Sequence, residues 1–448
     1  MSINEREIAF NALLRVERDG AYSNLVLSSL LKEVEDERGR AFISALVYGV
    51  LENEQLLDYA IDRYSKQRAD RLEREVRLIL RMGFYQLLFM SGVPESAAVN
   101  ESVKLSKSIE LERAAGYING VLRAFIRAEK KLPLPDKRMY PLLHLSAKHS
   151  CPMWILKLWR DSYGLELCRL SAEALAGKPP LFVRVNTTKI TAEELAARLG
   201  ESGITAKPTN IPDSLKLDLS GAAEQLPEYH EGLFHVQDIS SQLCCILLGV
   251  SKGDRVLDVC AAPGGKSFTL AEMMSNSGEL VSCDLHAHRV RLIEAGAGRL
   301  ELSSIRPMAR DALARDADKV GEFDRILCDV PCSGLGVIRR KPDIKSKPES
   351  DIKSLVPLQA AILKSSARLL KSGGVLIYST CTLNPAENIK IVDKFLRSNT
   401  DFEPYDIEDT YRFERRTDEP RHTLTLFPQK GGSDGFFIAR MRKKGRLK

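Results

Sequence analysis

The sequence predicts a multidomain protein, an all-α N-terminal domain followed by an α/β domain built on a doubly wound parallel sheet. Three observations lead there. Up to about residue 130 the apolar residues recur at helical spacing, as in Ile8, Leu13 and Val16 and again in Val76, Leu80, Phe84, Leu87 and Leu88, with hardly a β-branched run. After Gln237, short and nearly continuous apolar runs alternate with helical stretches, the pattern of strands buried on both faces by flanking helices. Between these regions Pro133 and Pro135 end the last helix of the first, because proline removes a backbone donor and clashes with the preceding turn.

Taken in order, the helical region covers 1–135, with breaks at Gly20 and at Gly92 to Pro94. Residues 136–235 are mixed. Helical stretches at Trp154 to Trp159 and Ala192 to Leu199 flank a strand, Leu181 to Asn186, which reads as a connector with a small α/β subdomain. Residues 236–448 form the main α/β domain, with strands at Arg255 to Val259, Leu280 to Cys283, Arg325 to Asp329 and Gly374 to Ser379.

Composition narrows the function classes. With 448 residues, 44% hydrophobic and 28% charged, the chain has ample material for globular cores. No stretch reaches the roughly 18 apolar residues of a membrane span, so a cytoplasmic address and no membrane partner are expected. Nine cysteines lack CxxC spacing and nearby histidines, which argues against disulfide and zinc frameworks; no metal is expected, and a cysteine with a role acts as a thiol. The net charge is +6, and residues 1–140 hold 22 Lys+Arg against 21 Asp+Glu, so the basic excess sits in the remaining two thirds. A polyanion suits that balance, as does the tail Arg440, Arg442, Lys443, Lys444, Arg446 and Lys448; a solvated surface would look the same.

The chemistry-bearing residues fall at strand ends. The first strand of the main domain runs into Cys260, Ala261, Ala262, Pro263, Gly264, Gly265 and Lys266, a glycine turn before a helix. In open α/β sheets that carboxyl edge is where ligands bind. The loop is neither a P-loop, which needs glycine where Cys260 stands, nor a dinucleotide fingerprint, since GxGxxG is absent. Asp284 follows the second strand, where a carboxylate accepts from a ribose diol, and Asp311 follows the third, where it could accept from an adenine amino group. With Asp258 at the end of the first strand these carboxylates, at three consecutive strand ends, fit a nucleoside that lacks phosphates and carries a cationic sulfonium; each alone could equally cap a helix. The fourth strand leads to Asp329, Val330, Pro331, Cys332, Ser333 and Gly334, and the fifth to Cys381.

Two thiols beside a methyl donor suggest one reaction. C5 of cytosine is a poor carbon nucleophile until a thiolate adds at C6. A free thiol of pKa about 8.5 is only a few per cent thiolate at neutral pH, so the surroundings of a nucleophilic cysteine must favour the thiolate. Asp329 can then absorb developing charge at N3 of the base. Spacing alone leaves open which cysteine attacks, because DNA cytosine methyltransferases use the proline-cysteine motif.

At these residues the chain resembles the RNA cytosine-C5 methyltransferases of the NOL1/NOP2/Sun type, whose CxAPGGK, DxPCSGxG and YSTCS segments read here as Cys260 to Lys266, Asp329 to Gly336 and Tyr378 to Thr382. Over roughly 141–448 the resemblance implies a Rossmann-like fold dependent on S-adenosyl-L-methionine. It implies Cys381 as the nucleophile and Cys332 as the thiol that assists release. It also implies that Asp284, Asp311 and Asp329 line the cofactor site with the Cys260 to Lys266 loop. Thr382 replaces the usual serine and Val330 the usual alanine or proline. Glu387, Asn388 and the stretch Gln237 to Gln242 match positions that buttress the site, or cap helices.

The helical domain resembles the RNA-binding fold of the antitermination factor NusB through Arg81 to Leu87 and Tyr117 to Arg123. A NusB-like domain ahead of this core is similar to bacterial 16S rRNA cytosine-C5 methyltransferases, which implies cytosine 967 as the target. The expected partner is 16S rRNA, free or in early 30S particles, met by a monomer. Arg184, Asn186, Arg339, Arg340 and Lys341 are candidate phosphate contacts. A transfer-RNA cytosine methyltransferase and a non-catalytic ribosome-assembly factor are the alternatives; retention of both Cys332 and Cys381 speaks against the second.

Overall fold

The computed structural model describes residues 5–21, 23–176, 179–219, 221–314, 322–408, 410–411, 413–428 and 432–445. It divides into two units, residues 1–176 with 338–348, and residues 177–337 with 349–448.

The first unit is helical: α1 (Glu5–Asp19), α2 (Ser23–Leu30), α3 (Glu37–Glu52), α4 (Glu54–Tyr64), α5 (Arg74–Phe89), α6 (Glu95–Ser108), α7 (Glu112–Arg127), α8 (Pro141–His149) and α9 (Met153–Glu173). Phe10, Leu13, Ile43, Leu46, Ile79, Phe84, Ile118 and Phe125 fill its core, and each buried large side chain of this kind stabilises by about 1.5–3 kcal/mol. Gly83 lets α5 and α7 close: a side chain there would meet Leu122 at 2.7 Å. Buried Arg81 is held between Glu54 (2.5 Å) and Asp58 (2.6 Å).

The second unit carries two sheets. A small antiparallel sheet, ordered β2-β3-β1-β4, contains β1 (Leu181–Val185), β2 (Thr205–Pro208), β3 (Ser214–Asp218) and β4 (Phe234–Val236). With it go α10 (Ala192–Glu201) and the single turn α11 (Pro227–His230). Thr191 caps α10 in a capping box with Glu194. The main domain follows as α12 (Ile239–Leu248), β5 (Arg255–Asp258), α13 (Gly265–Met273), β6 (Glu279–Asp284), α14 (Ala287–Leu300), β7 (Ile305–Ala309), β8 (Phe323–Asp329), α15 (Glu349–Ala367), β9 (Leu370–Thr380), α16 (Ile389–Ser398), β10 (Phe402–Pro404), β11 (Thr423–Leu426) and β12 (Phe436–Lys443).

The large sheet is ordered β10-β12-β9-β8-β5-β6-β7, with β11 paired to β12. Strands β9, β8, β5, β6 and β7 are parallel, whereas β12 lies antiparallel on β9. The strand order reverses between β5 and β8, the switch point at which open α/β sheets form a ligand crevice. The α/β expectation with a parallel sheet therefore holds, and all four anticipated strands of the main domain are present.

The domain divisions differ from those expected at 135 and 235. The cut falls between residues 176 and 177, so the anticipated connector is divided. Helices α8 and α9 belong with the helical unit because Ile155, Leu156 and Trp159 are buried and Ser150 Oγ accepts from Gln55 N at the start of α4. Residues 338–348 also belong there: the Lys345 ammonium donates to Glu52 O (2.8 Å) and Ser346 Oγ to Glu54 (3.0 Å). Proline spacing signals where a helix stops, but not which core the next one joins. No helix among the described residues is long and apolar enough to cross a membrane.

Candidate active site

The loop after β5 is shaped by its glycines. Gly264 sits at φ +115, and a side chain there would meet the Phe268 ring at 2.4 Å, so α13 starts on a conformation that only glycine takes easily. The buried amide nitrogen of Gln237 has no hydrogen-bond partner and lies 3.8 Å from where a Gly265 side chain would begin. Gln237 Oε1 meanwhile accepts from Thr269 Oγ1 at 2.7 Å. An unmet donor at the amino end of a helix suits an acceptor-bearing, anionic ligand group such as an amino-acid carboxylate.

Below the loop, Asp258 is fully buried and burial pushes its pKa up to about 7, against an opposing hydrogen bond from Ser267. Ser267 Oγ donates to it at 2.8 Å and in turn accepts from Ser282 Oγ at 2.8 Å.

Asp284 ends β6 and is buried; its Oδ1 accepts from His286 N (3.1 Å) and its Oδ2 faces the Arg289 guanidinium (3.0 Å). Asp311 follows β7 and its Oδ1 accepts from Leu313 N (2.9 Å). Both carboxylates therefore also serve local turns. Arg289 additionally donates to Ala262 O at 3.0 Å, tying Asp284 to the loop. Sequence reading missed this arginine, although its position on the first turn of α14 after a strand-end aspartate was a usable signal.

Asp329 ends β8 opposite Ser379 of β9. Ser379 Oγ donates to its Oδ1 (2.8 Å) and the Lys266 ammonium to its Oδ2 (2.7 Å). Burial is the largest influence and acts to lower the Lys266 pKa, but the charge and hydrogen bond of Asp329, together with the neighbouring Cys244 and Cys245, outweigh it and the net shift is upward. The lysine is thus a fixed cation that keeps Asp329 in place.

Cys332 and Cys381 leave adjacent parallel strands and meet with their sulfurs 3.3 Å apart, both half-buried. The hydrogen bond to Cys381, and then burial, hold the Cys332 thiol well above its usual range. Gly336 N donates to Cys381 O at 2.9 Å, which ties the two cysteine loops together, and a side chain on Gly336 would strike Gly435 O at 2.0 Å, so only glycine fits where the segment before β12 packs against them. Glu387 is fully buried between them and accepts from Ser333 N (2.8 Å), Ser333 Oγ (2.6 Å), Gln359 (2.9 Å) and Asn384 (3.0 Å). Asn388 bridges Thr380 Oγ1 (2.6 Å) and Thr382 O (2.8 Å). The Thr382 hydroxyl lies 2.8 Å from Ser333 Oγ, so threonine keeps the hydroxyl that serine would supply. Gln359, on α15, has no motif around it in the sequence and is found only through this carboxylate.

The proposed RNA contacts fare differently. Arg184 is 2% exposed, its guanidinium held by Pro212 O (2.7 Å), Glu272 (3.3 Å) and Asp213 (3.4 Å). Asn186 is fully buried and donates to Gly232 O and Leu300 O, each at 2.9 Å. Both pin the small sheet to the main domain and cannot reach a phosphate, which corrects the expectation for them. Arg339 is buried as well, while Arg340 is half-buried and Lys341 exposed. In the tail, Arg446 and Lys448 lie outside the described residues. Arg442 pairs with Glu403 at 2.6 Å.

Comparison with known proteins fits this arrangement. A family model described as 16S rRNA methyltransferase RsmB/F matches residues 245–442, one for the NusB family matches 3–127, and a ferredoxin-like domain of RsmF/B-type methyltransferases matches 151–224. A Bacillus subtilis (strain 168) protein named probable ribosomal RNA small subunit methyltransferase B is 38% identical over 98% of this chain and 99% of its own length. The chain belongs to the ribosomal RNA small subunit methyltransferase B family. Another methyltransferase B, from Escherichia coli O17:K52:H18, is 33% identical over 98% of this chain and 99% of its own. The crystal structure of PH0851 covers 99% of this chain and 100% of its own, with a TM-score of 0.79 at 24% identity, which is a likeness of fold. A methyltransferase homologue from Pyrococcus horikoshii covers 68% of this chain and 99% of its own, at TM-score 0.59 and 29% identity. Family membership upholds the reading of a methyltransferase with a NusB-type helical domain.

Proposed function

We propose that the chain forms 5-methylcytosine in 16S rRNA, at cytosine 967, through a covalent adduct of Cys381 at C6 of the base. The observation that carries this reading is the half-buried pair of thiols 3.3 Å apart at the carboxyl edge that also bears the glycine loop and Asp329. The Cys260 to Lys266 loop, Asp284 and Asp311 are the residues that would hold S-adenosyl-L-methionine, and the unmet Gln237 amide beside Gly265 fits its carboxylate. When bound, that cofactor supplies an electrophilic methyl group on a cationic sulfur.

The protein's own groups do the rest. Either sulfur of the pair could donate; with the Cys332 thiol held high the S–H is assigned to Cys332, which favours thiolate character on Cys381. Addition of Cys381 to C6 pushes electrons into the ring and makes C5 nucleophilic. Asp329, fixed by Lys266 and Ser379, would lie beside N3 of the bound base and accept the N3–H hydrogen bond as N3 takes up a proton from solvent, which offsets the developing charge. Solvent water takes the C5 proton, the electron pair re-forms the C5–C6 double bond and breaks the C6–sulfur bond, and Cys332 donates its S–H proton to the departing Cys381 sulfur and so assists release. A paired base must be flipped out to reach the thiols. Lys341 and Arg340 are the remaining candidates from the sequence for phosphate contacts. The chain acts as a monomer in the cytoplasm, on free rRNA or early 30S particles.

The test is incubation of the purified protein with tritiated S-adenosyl-L-methionine and unmodified 16S rRNA or transfer RNA, followed by mapping of the labelled base. Label at one 16S cytosine C5 is expected. Label in transfer RNA alone overturns the substrate, and binding of both RNAs without label turns the reading to an assembly factor.

A further inference from the structure

We propose that Cys332 and Cys381 form a reversible intramolecular disulfide when the protein meets a two-electron oxidant such as hydrogen peroxide, making this pair a redox-sensitive dithiol. The linkage itself needs only the geometry; its effect on methyl transfer rests on the function proposed above.

The two sulfurs already lie 3.3 Å apart, on loops held together by the Gly336 to Cys381 backbone hydrogen bond and by Glu387. A disulfide needs about 2.05 Å, a closing of little more than an ångström that side-chain rotation can supply. Both cysteines are half-buried, so a small oxidant reaches them. By contrast, Cys151, Cys244 and Cys328 are fully buried, so an oxidant does not reach their sulfurs as it reaches the half-buried pair. Cys245 shares that enclosed setting, with its S–H directed at Lys266 O.

The chemistry balances. The Cys381 thiolate attacks one peroxide oxygen, the O–O bond breaks, and hydroxide leaves to take up a proton as water, giving a sulfenic acid on Cys381. Cys332 then attacks that sulfur; the S–S bond forms, the S–O bond breaks, and a second water departs with the Cys332 proton. Two thiols lose two electrons in all, and one peroxide gains them. A bridge between these sulfurs removes the nucleophile and its proton partner together. A thiol reductant restores both, whereas an unprotected nucleophile would pass on to irreversible sulfinic acid.

The experiment treats the full-length protein with a few equivalents of hydrogen peroxide, blocks remaining thiols, digests with trypsin and maps linked peptides. In parallel it measures methyl transfer before and after dithiothreitol. Expected is a link between peptides 326–339 and 372–390, absent in Cys332→Ser, which also excludes Cys328 as the partner on the first peptide. Methyl transfer should fall at least tenfold and return with dithiothreitol. A link formed with methyl transfer unchanged would uphold the dithiol and overturn the catalytic assignment. Sulfinic acid on Cys381 beside a free Cys332, or both thiols intact while other cysteines oxidise, would overturn the dithiol.

Discussion

At the carboxyl edge of the parallel sheet, Cys332 and Cys381 stay half-exposed and Asp329 keeps one side chain on either flank, whereas on the four-stranded sheet Arg184, Asn186 and His235 are buried, Arg184 and Asn186 deep within internal hydrogen bonds. Both regions carry polar side chains of the kinds that bind or react with ligands. What separates them is strand position: the first set sits at or just past the carboxyl ends of parallel strands next to the switch point, the second within or directly after strands of the small sheet that pack against neighbouring elements. Residue type suggests chemistry, and strand position decides whether the group meets solvent or the protein's own interior.

Substitutions can break this contrast. The largest expected effect is that of Cys381→Ala, which should lower methyl transfer by on the order of 10⁴-fold or more while leaving the melting temperature close to wild type, because a half-buried sulfur is lost and no charge is orphaned. Single-turnover assays and thermal melts check both halves. Cys332→Ala should cost less, about 10²- to 10⁴-fold in turnover, with release slowed more than adduct formation in rapid-quench experiments.

On the other side of the contrast, Arg184→Ala should act on folding. It strands Glu272, whose side chain is fully buried, and should cost about 3–5 kcal/mol in urea unfolding. In the protein that remains folded, the salt dependence of RNA binding should not change. Lys341→Ala should do the reverse, leaving stability intact and reducing the log-log salt slope by about 0.7–0.9, one phosphate contact. Asp258 adds a pH effect that acts on stability alone. Its folded pKa of about 7 lies above the ordinary 3.8, so the protonated form is favoured by folding; this contribution is fully present below about pH 3.8 and is lost as pH rises through 7. Asp258→Asn should flatten that fall in stability across the same window, measured by chemical denaturation at a series of pH values.

Much of this was legible before the structure. Strands buried on both faces announce themselves as apolar runs, and the glycine loop, strand-end carboxylates and two cysteines stand in the sequence in an order that a parallel sheet gathers to one edge. What was not legible depends on tertiary neighbours. Arg184 looks like a phosphate contact until Glu272, from α13, is seen to hold it. Gln359 lies inside an ordinary helix, and only the buried Glu387 gives it a role. The segment 338–348 is continuous in sequence with the Cys332 motif, yet it clusters with the helical unit through Lys345 and Ser346. Contacts across such distances in the chain leave no periodic trace.

The most direct test of the central claim is to identify the residue that bears the nucleotide. Cys332→Ala, in which release is impaired, would be incubated with cofactor and unmodified 16S rRNA, the protein–RNA adduct isolated under denaturing conditions and digested, and the modified peptide sequenced by mass spectrometry. The account predicts a methylated cytidine nucleotide on Cys381, within peptide 372–390. A nucleotide on any other residue, or methylated RNA released with no adduct at any time point, would contradict it.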